Sequence, residues 1–121
     1  MIARRMLRNT SGAAAAEFAI LGPVMIALLF GIVQGGVMLW TQFGLQQATE
    51  RAARCGSINS TQCGSVAQIQ AYASANSLGR SVPASTFMVS TQTCGTHVAA
   101  TWTASILTYS MPLSASSCFP K

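Results

Sequence analysis

Ser11 to Phe43 reads SGAAAAEFAILGPVMIALLFGIVQGGVMLWTQF, and this stretch decides the fold. From Phe18 to Phe43 it holds no charged side chain, and its only polar ones are Gln34, Thr41 and Gln42. A helix rises about 1.5 Å per residue, so roughly 20 such residues cross a hydrocarbon layer of about 30 Å. The run is long enough to span a membrane. A removable secretory signal has an apolar core of only about 7 to 15 residues before a small-residue cleavage site. This run exceeds that length and is expected to stay in the protein.

Arg4, Arg5 and Arg8 precede the run with no acid among them, which by the positive-inside rule puts the N-terminus in the cytoplasm. Arg51 and Arg54 lie further from the apolar core and accompany Glu50. The C-terminal two-thirds is therefore expected to face outward. The formal charge of +5 comes from seven basic and two acidic residues. Three of those cations sit in the first eight residues, and no basic stripe with interleaved aromatics follows, which argues against nucleic acid as a partner.

Cys55, Cys63, Cys94 and Cys118 all fall on the outer side, where an even number of cysteines reads as a disulfide framework. Zinc is the competing reading. It lacks support, because there is no C-x-x-C pair and His97 is the only histidine. Four cysteines permit three connectivities, and the sequence does not choose among them; closure of local units favours Cys55 with Cys63 and Cys94 with Cys118. Such bridges matter in an outer domain of about 65 residues, near the lower limit for an unaided core.

The first helix is expected from Ala13 through Arg54, with a kink or loosened turn at Pro23 and a stop near Cys55-Gly56. A Ser/Asn/Thr/Gly-rich stretch follows to Gly64. Val66, Ile69, Tyr72 and Ala73 then recur at helical spacing within Ser65 to Leu78, predicting a short amphipathic helix that stops at Gly79. Beyond Pro83 the period falls to two. Phe87 to Gln92 and Val98 to Ile106 alternate, with Cys94-Gly95-Thr96 between them as a tight connection, so a β-hairpin is expected. A third strand from about Leu113 to Phe119 would bring Cys118 to the sheet. The fold class is α+β, in three segments: a basic leader over 1–12, a transmembrane and extended helix over 13–55, and a small outer domain over 56–121. Trp102 is expected to fill its core, and Trp40 to anchor the helix at the membrane interface.

Ahead of the apolar run stands Ser11-Gly12-Ala13-Ala14-Ala15-Ala16-Glu17-Phe18. A lone carboxylate at the lip of a membrane helix calls for a reason, because an ionised acid inside the span costs about 2.5–3.5 kcal/mol on insertion scales. The plain account places Glu17 at the interface, near a helix N-terminus whose dipole favours negative charge. The flanking residues suggest another account, for the segment resembles the processing site of type IV prepilins: a basic leader, a glycine, small residues, then Glu-Phe opening an apolar helix. That resemblance implies cleavage by a prepilin peptidase between Gly12 and Ala13, leaving Glu17 fifth in the mature chain and Phe18 sixth, both serving assembly.

The likeness narrows further along. Glu17-Phe18-Ala19, Pro23, Phe30-Gly31-Ile32, Gly36, Leu45-Gln46, Ala48 and Ala52-Ala53-Arg54 resemble the TadE family of minor pilins or pseudopilins of the tight-adherence (Flp) pilus. The chain departs from that family's habit at Gln34, where an acid is common, and at Gly22, where a bulky apolar residue is usual. The resemblance implies a single-pass protein of the bacterial inner membrane, with the outer domain periplasmic or carried into a pilus. It implies as partners the prepilin peptidase, other minor pilins, the major Flp pilin and the assembly platform with its ATPase, with a role in assembly, initiation or adhesion.

Gly31 and Gly35 form a G-x-x-x-G pattern through which helices can approach closely. No catalytic constellation is expected: Glu17 and Glu50 are the only acids, and no nucleophile stands beside a visible base. Neither cofactor nor metal nor small-molecule substrate is expected. The competing reading from another class is an uncleaved, signal-anchored envelope protein that binds a partner through its outer domain.

Overall fold

A computed structural model of the chain describes residues 10–79, 81–106 and 109–121. They divide into two compact units, one ending at Gly36 and the other spanning Val37–Lys121. The leader arginines Arg4, Arg5 and Arg8 lie outside the described residues.

The first element, α1, is a helix over Thr10–Ile58. Its first unit is rich in Ala, which has no side-chain freedom to lose in a helix. The helix runs unbroken through Pro23, whose missing N–H leaves the Ala19 carbonyl without its helical donor. From Phe18 to Val33 its large apolar side chains are all exposed, Phe18 by 76% and Ile20 by 74%. Each would cost about 1.5–3 kcal/mol relative to burial if it faced water. Among the described residues, α1 alone is long and apolar enough to cross a membrane.

In the second unit α1 changes character. Thr41, Gly44, Leu45, Ala48, Thr49, Ala52 and Ala53 are buried, at steps of three and four along one face. Mostly small, they let the rest of the unit approach the helix backbone. Glu50, Arg51 and Arg54 stay exposed on the other side.

α1 ends at Ile58 rather than at Cys55-Gly56, and is already helical at Thr10, ahead of Ala13. Gly56 does not stop the helix because it serves a contact: a Cβ there would lie 2.8 Å from Ile69 Cδ1 and 3.0 Å from Thr96 Cγ2. The chain turns instead at Asn59, whose Oδ1 accepts from the Thr61 and Gln62 amides at 3.1 Å.

The short helix α2 covers Val66–Ala75 and opens on a capping box, in which Ser65 and Gln68 satisfy each other's backbone N–H. Ile69 and Ala73 are buried, and Tyr72 packs half-buried against the core. Val66 is 53% exposed, so it does not belong to the buried face that its spacing suggested. It occupies the first turn, which overhangs the packed region. The helix stops at Ala75 rather than Leu78, with Asn76 donating its amide side chain to the Tyr72 carbonyl at 2.8 Å. Leu78 and Gly79 then take positive φ.

A single 3-10 turn, Ala84–Thr86, leads into β1 (Phe87–Gln92), followed by β2 (Gly95–Ile106) and β3 (Tyr109–Phe119). They form an antiparallel meander in the order β1-β2-β3. The hairpin loop is Thr93–Cys94, since Gln92 already pairs with Gly95; Gly95 and Thr96 belong to β2 and not to the connection. β3 starts at Tyr109, four residues earlier than Leu113, because Pro112 pairs in register with Thr103 without ending the strand. A proline is tolerated on an edge strand. One sheet face carries Phe87, Val98, Ala100 and Ala115 into the core. Phe87, fully buried, is the central ring, while Trp102 is only half-buried at the margin.

Candidate functional site

Gly12 and Ala13 lie on α1, both exposed, and a Cβ at Gly12 would meet nothing within 4 Å. Glu17, also exposed, stands at least two turns inside α1. Dipole stabilisation falls off within the first turn, so in this helix it does little for Glu17. No ion pair to Glu17 forms among the described residues. Phe18 beside it is exposed, and its ring edge comes within 3.8 Å of where a Cβ at Gly22 would stand.

Gly31 and Gly35 fall one helical turn apart, open to the surface, with nothing within 4 Å of an added Cβ at either or at Gly36. They form a shallow, side-chain-free strip on an otherwise bulky apolar helix. Gln34 beside them is half-buried.

In the second unit both disulfides take the locally closed pairing. Cys55 joins Cys63 with a Cα separation of 5.7 Å, and Cys94 joins Cys118 at 6.2 Å. The first ties the end of α1 to the loop before α2. The second ties the β1–β2 loop to the end of β3. The end of β3 is also fastened to α1: Ser57 Oγ donates to the Phe119 carbonyl at 2.9 Å, and the Arg54 guanidinium lies 5.9 Å from the Phe119 ring centroid. Gln42 donates to the Ser114 carbonyl at 2.8 Å.

His97 Nδ1 lies 3.4 Å from Ser90 Oγ across the hairpin, on an exposed part of the sheet with no carboxylate behind it. Glu50 accepts from Gln46 at 3.2 Å. Among the described residues no three His, Cys, Asp or Glu side chains gather as a metal site would require. The structure thus brings the four cysteines together in pairs, and places Gly12, Ala13, Glu17 and Phe18 on one exposed helical segment. Sequence reading missed a feature of β2: its second half, Trp102 to Ser105, borders a cavity beside α1. The mismatch in strand lengths was its only available signal.

A helix able to span a membrane, continuing into a small disulfide-bridged α+β unit, defines a class: it fits a single-pass membrane protein. Within that class the family model described as TadE-like protein matches residues 12–54, about a third of the chain. The resemblance read from the helix is therefore upheld, and it associates the chain with the tight-adherence pilus system. The match begins at Gly12 and ends at Arg54, so the sheet and all four cysteines lie beyond it. No curated protein and no solved structure matches the chain.

Proposed function

We propose that the chain is a minor pilin or pseudopilin of a tight-adherence pilus, made in the inner membrane with its N-terminus cytoplasmic and trimmed by a prepilin peptidase between Gly12 and Ala13. One observation carries the reading: the TadE-like match starts at Gly12 and covers a largely exposed apolar run over 12–36 whose single acid, Glu17, has no ion-pair partner among the described residues. The role is structural, in assembly or initiation, with the peptidase, other minor pilins, the major pilin and the assembly platform as partners. The chain needs no chemistry of its own for that role.

Cleavage gives Glu17 its partner. The new α-amine of Ala13, ordinarily titrating at about 7.7–8.0, is largely protonated at neutral pH. In a neighbouring parallel helix it meets Glu17 when the two helices are offset by four residues, roughly 6 Å along the axis. The pair favours a staggered over an aligned bundle. Inside an apolar environment a carboxylate with a cationic partner is far better tolerated than one alone.

Intact mass and N-terminal sequencing of protein from native membranes test the cleavage. A mature chain beginning at Ala13 is expected; a chain that keeps Arg4, Arg5 and Arg8 would make it an uncleaved envelope anchor. Glu17→Ala is expected to leave membrane insertion intact while reducing co-purification with pilus components at least tenfold. Undiminished co-purification would remove the pairing from the account.

A further inference from the structure

In the second unit two hydrogen bonds hold α1 and β3 side by side. Ser57 donates to the Phe119 carbonyl at one level, and Gln42 donates to the Ser114 carbonyl at another. Followed from the first contact past the second, both elements change in the same way. The exposed side chains of α1 are Arg54, Arg51 and Glu50, then Phe43, Trp40 and Leu39, the last 73% exposed. On the sheet, Lys121 follows Phe119 and His97 pairs with Cys118, whereas beyond Ser114 come Met111 and Tyr109, 52% and 79% exposed. Among the described residues of this unit the charged side chains are Glu50, Arg51, Arg54 and Lys121, all on the Ser57 side of the Gln42–Ser114 contact. Arg80 lies outside them, and a cation is compatible with phosphate headgroups.

Met111 and Tyr109 belong to the sheet face that bears the core, but stand past its end. They alternate in step with Leu113 and Ala115, which turn toward the core, and Trp102, the partner of Leu113, is half-buried at its margin. Met111 pairs with Ala104, and Ser110 with Ser105. Ala104 and Ser105 in turn border the cavity that Val37 and Met38 line from α1, together with Gly79 and Ser81. This end of the sheet is therefore level with the point where α1 enters the second unit.

The length of the apolar run says where that level lies. Roughly 20 helical residues cross the hydrocarbon layer, and counted from Phe18, next to Glu17, they reach Val37. Shifting the span toward the N-terminus draws Glu17 into lipid, which is unfavourable. Tilting takes up more of the run, not less. Val37 thus stands at the lip of the membrane or inside it.

We propose that the Tyr109–Met111 end of β3, with Leu39, Trp40 and Phe43 of α1, rests in the lipid headgroup layer where α1 leaves the membrane. Trp40 and Tyr109 are rings with a polar tip, of the kind that gathers where hydrocarbon meets water. A protein partner explains an apolar patch anywhere on the unit. A lipid surface also explains why the patch falls on helix and sheet alike, at the one level that the span dictates. The second unit then lies against the bilayer and does not stand off from it on a free helix. Nothing in this depends on cleavage at Gly12 or on a pilus; it requires that α1 cross a membrane.

The test uses full-length protein reconstituted into phosphatidylcholine vesicles whose acyl chains are brominated close to the headgroup. Ser110→Cys and Ser116→Cys, made separately, each carry a thiol-reactive bimane; both positions are exposed, share a sheet face and lie about 20 Å apart along the strand. Bromine is expected to quench the probe at residue 110 at least threefold more than the probe at residue 116, and aqueous iodide to show the reverse order. Met111→Glu is expected to halve the bromine quenching at residue 110 and leave that at residue 116 unchanged. Intact mass, with both native disulfides present, establishes that each variant folds.

Equal bromine quenching at the two positions would overturn the proposal, as would quenching at residue 110 that Met111→Glu leaves unchanged. Shielding from iodide that grows with protein density, without quenching by bromine, would assign the patch to a second copy instead. Flotation of the chain with the vesicles reports insertion of α1, and a chain that does not float loses the lipid contact together with its premise. The N-terminal mass of protein from native membranes reports cleavage at Gly12 separately, so failure of the lipid contact and failure of the pilin reading give different signals.

Discussion

Gly95 adopts φ +121°, a region that side-chain-bearing residues rarely enter, and a Cβ there would collide with the Phe119 carbonyl oxygen and lie 2.7 Å from Pro120 Cα. Both atoms are backbone and cannot swing aside as a side-chain end can. Gly95→Ala is therefore expected to destabilise the second unit by about 3 kcal/mol through combined strain and overlap. Thermal melting of the detergent-solubilised chain reads this as a lower midpoint, and an unchanged midpoint would show that the hairpin end tolerates a methyl group. Gly12 is the opposite case: an added Cβ there meets nothing within 4 Å, so packing makes no demand for glycine, and any such demand comes from the cleavage proposed above. Two glycines of one chain thus answer to different demands, which the letter G does not distinguish. Glu17 was conspicuous in the sequence because a charge against an apolar run is conspicuous anywhere. Gly56 was misread as a helix stop because its contacts, Ile69 and Thr96, are far away in the chain.

Among elements, α1 was the most legible, since an uncharged run of that length has few other fates. The hairpin and its third strand followed from alternation, and the disulfide pairing from closure of short loops. The element ends were less legible, for they depend on tertiary partners. α1 overran Gly56 because the sheet packs onto it there, and β3 reached back past Pro112 because β2 offered a register as far as Tyr109. The identity of the central ring was also hidden. Trp102 was the larger aromatic, yet Phe87 sits where β1, β2 and α2 converge, its carbonyl accepting from Gln70 at 2.7 Å. Phe87→Ala is expected to cost about 3–5 kcal/mol, the range for removing a buried aromatic. Denaturant titration followed by near-ultraviolet circular dichroism measures it. A loss below about 1 kcal/mol would mean that the core refills around the gap.

At the scale of the whole molecule, the TadE-like match follows α1 through both units, from the exposed apolar run to the small-residue face over Thr41–Ala53. It stops before the sheet. The helix therefore carries the family likeness, and the second unit depends on its own core and its two bridges. Each bridge contributes about 3 kcal/mol in the chain-entropy account, the wider loop more than the narrower. Small domains have only about 5–15 kcal/mol in all. Reduction is accordingly expected to unfold the sheet while α1 stays resistant to carbonate extraction from membranes; release of the chain by reductant alone would tie anchoring to the second unit. The same bridges govern how the chain behaves under tension. Their sequence separations are 8 and 24 residues, and pulling on the ends cannot draw out what a covalent cross-link encloses. At about 3.4 Å per extended residue, on the order of 100 Å of slack is withheld. With β3 fastened to α1 at Ser57 and Arg54, a load on the end of β3 passes directly to the helix. The second unit is thus a short, stiff coupling: two cross-links and a strand end fastened to the helix leave little of it free to lengthen under load.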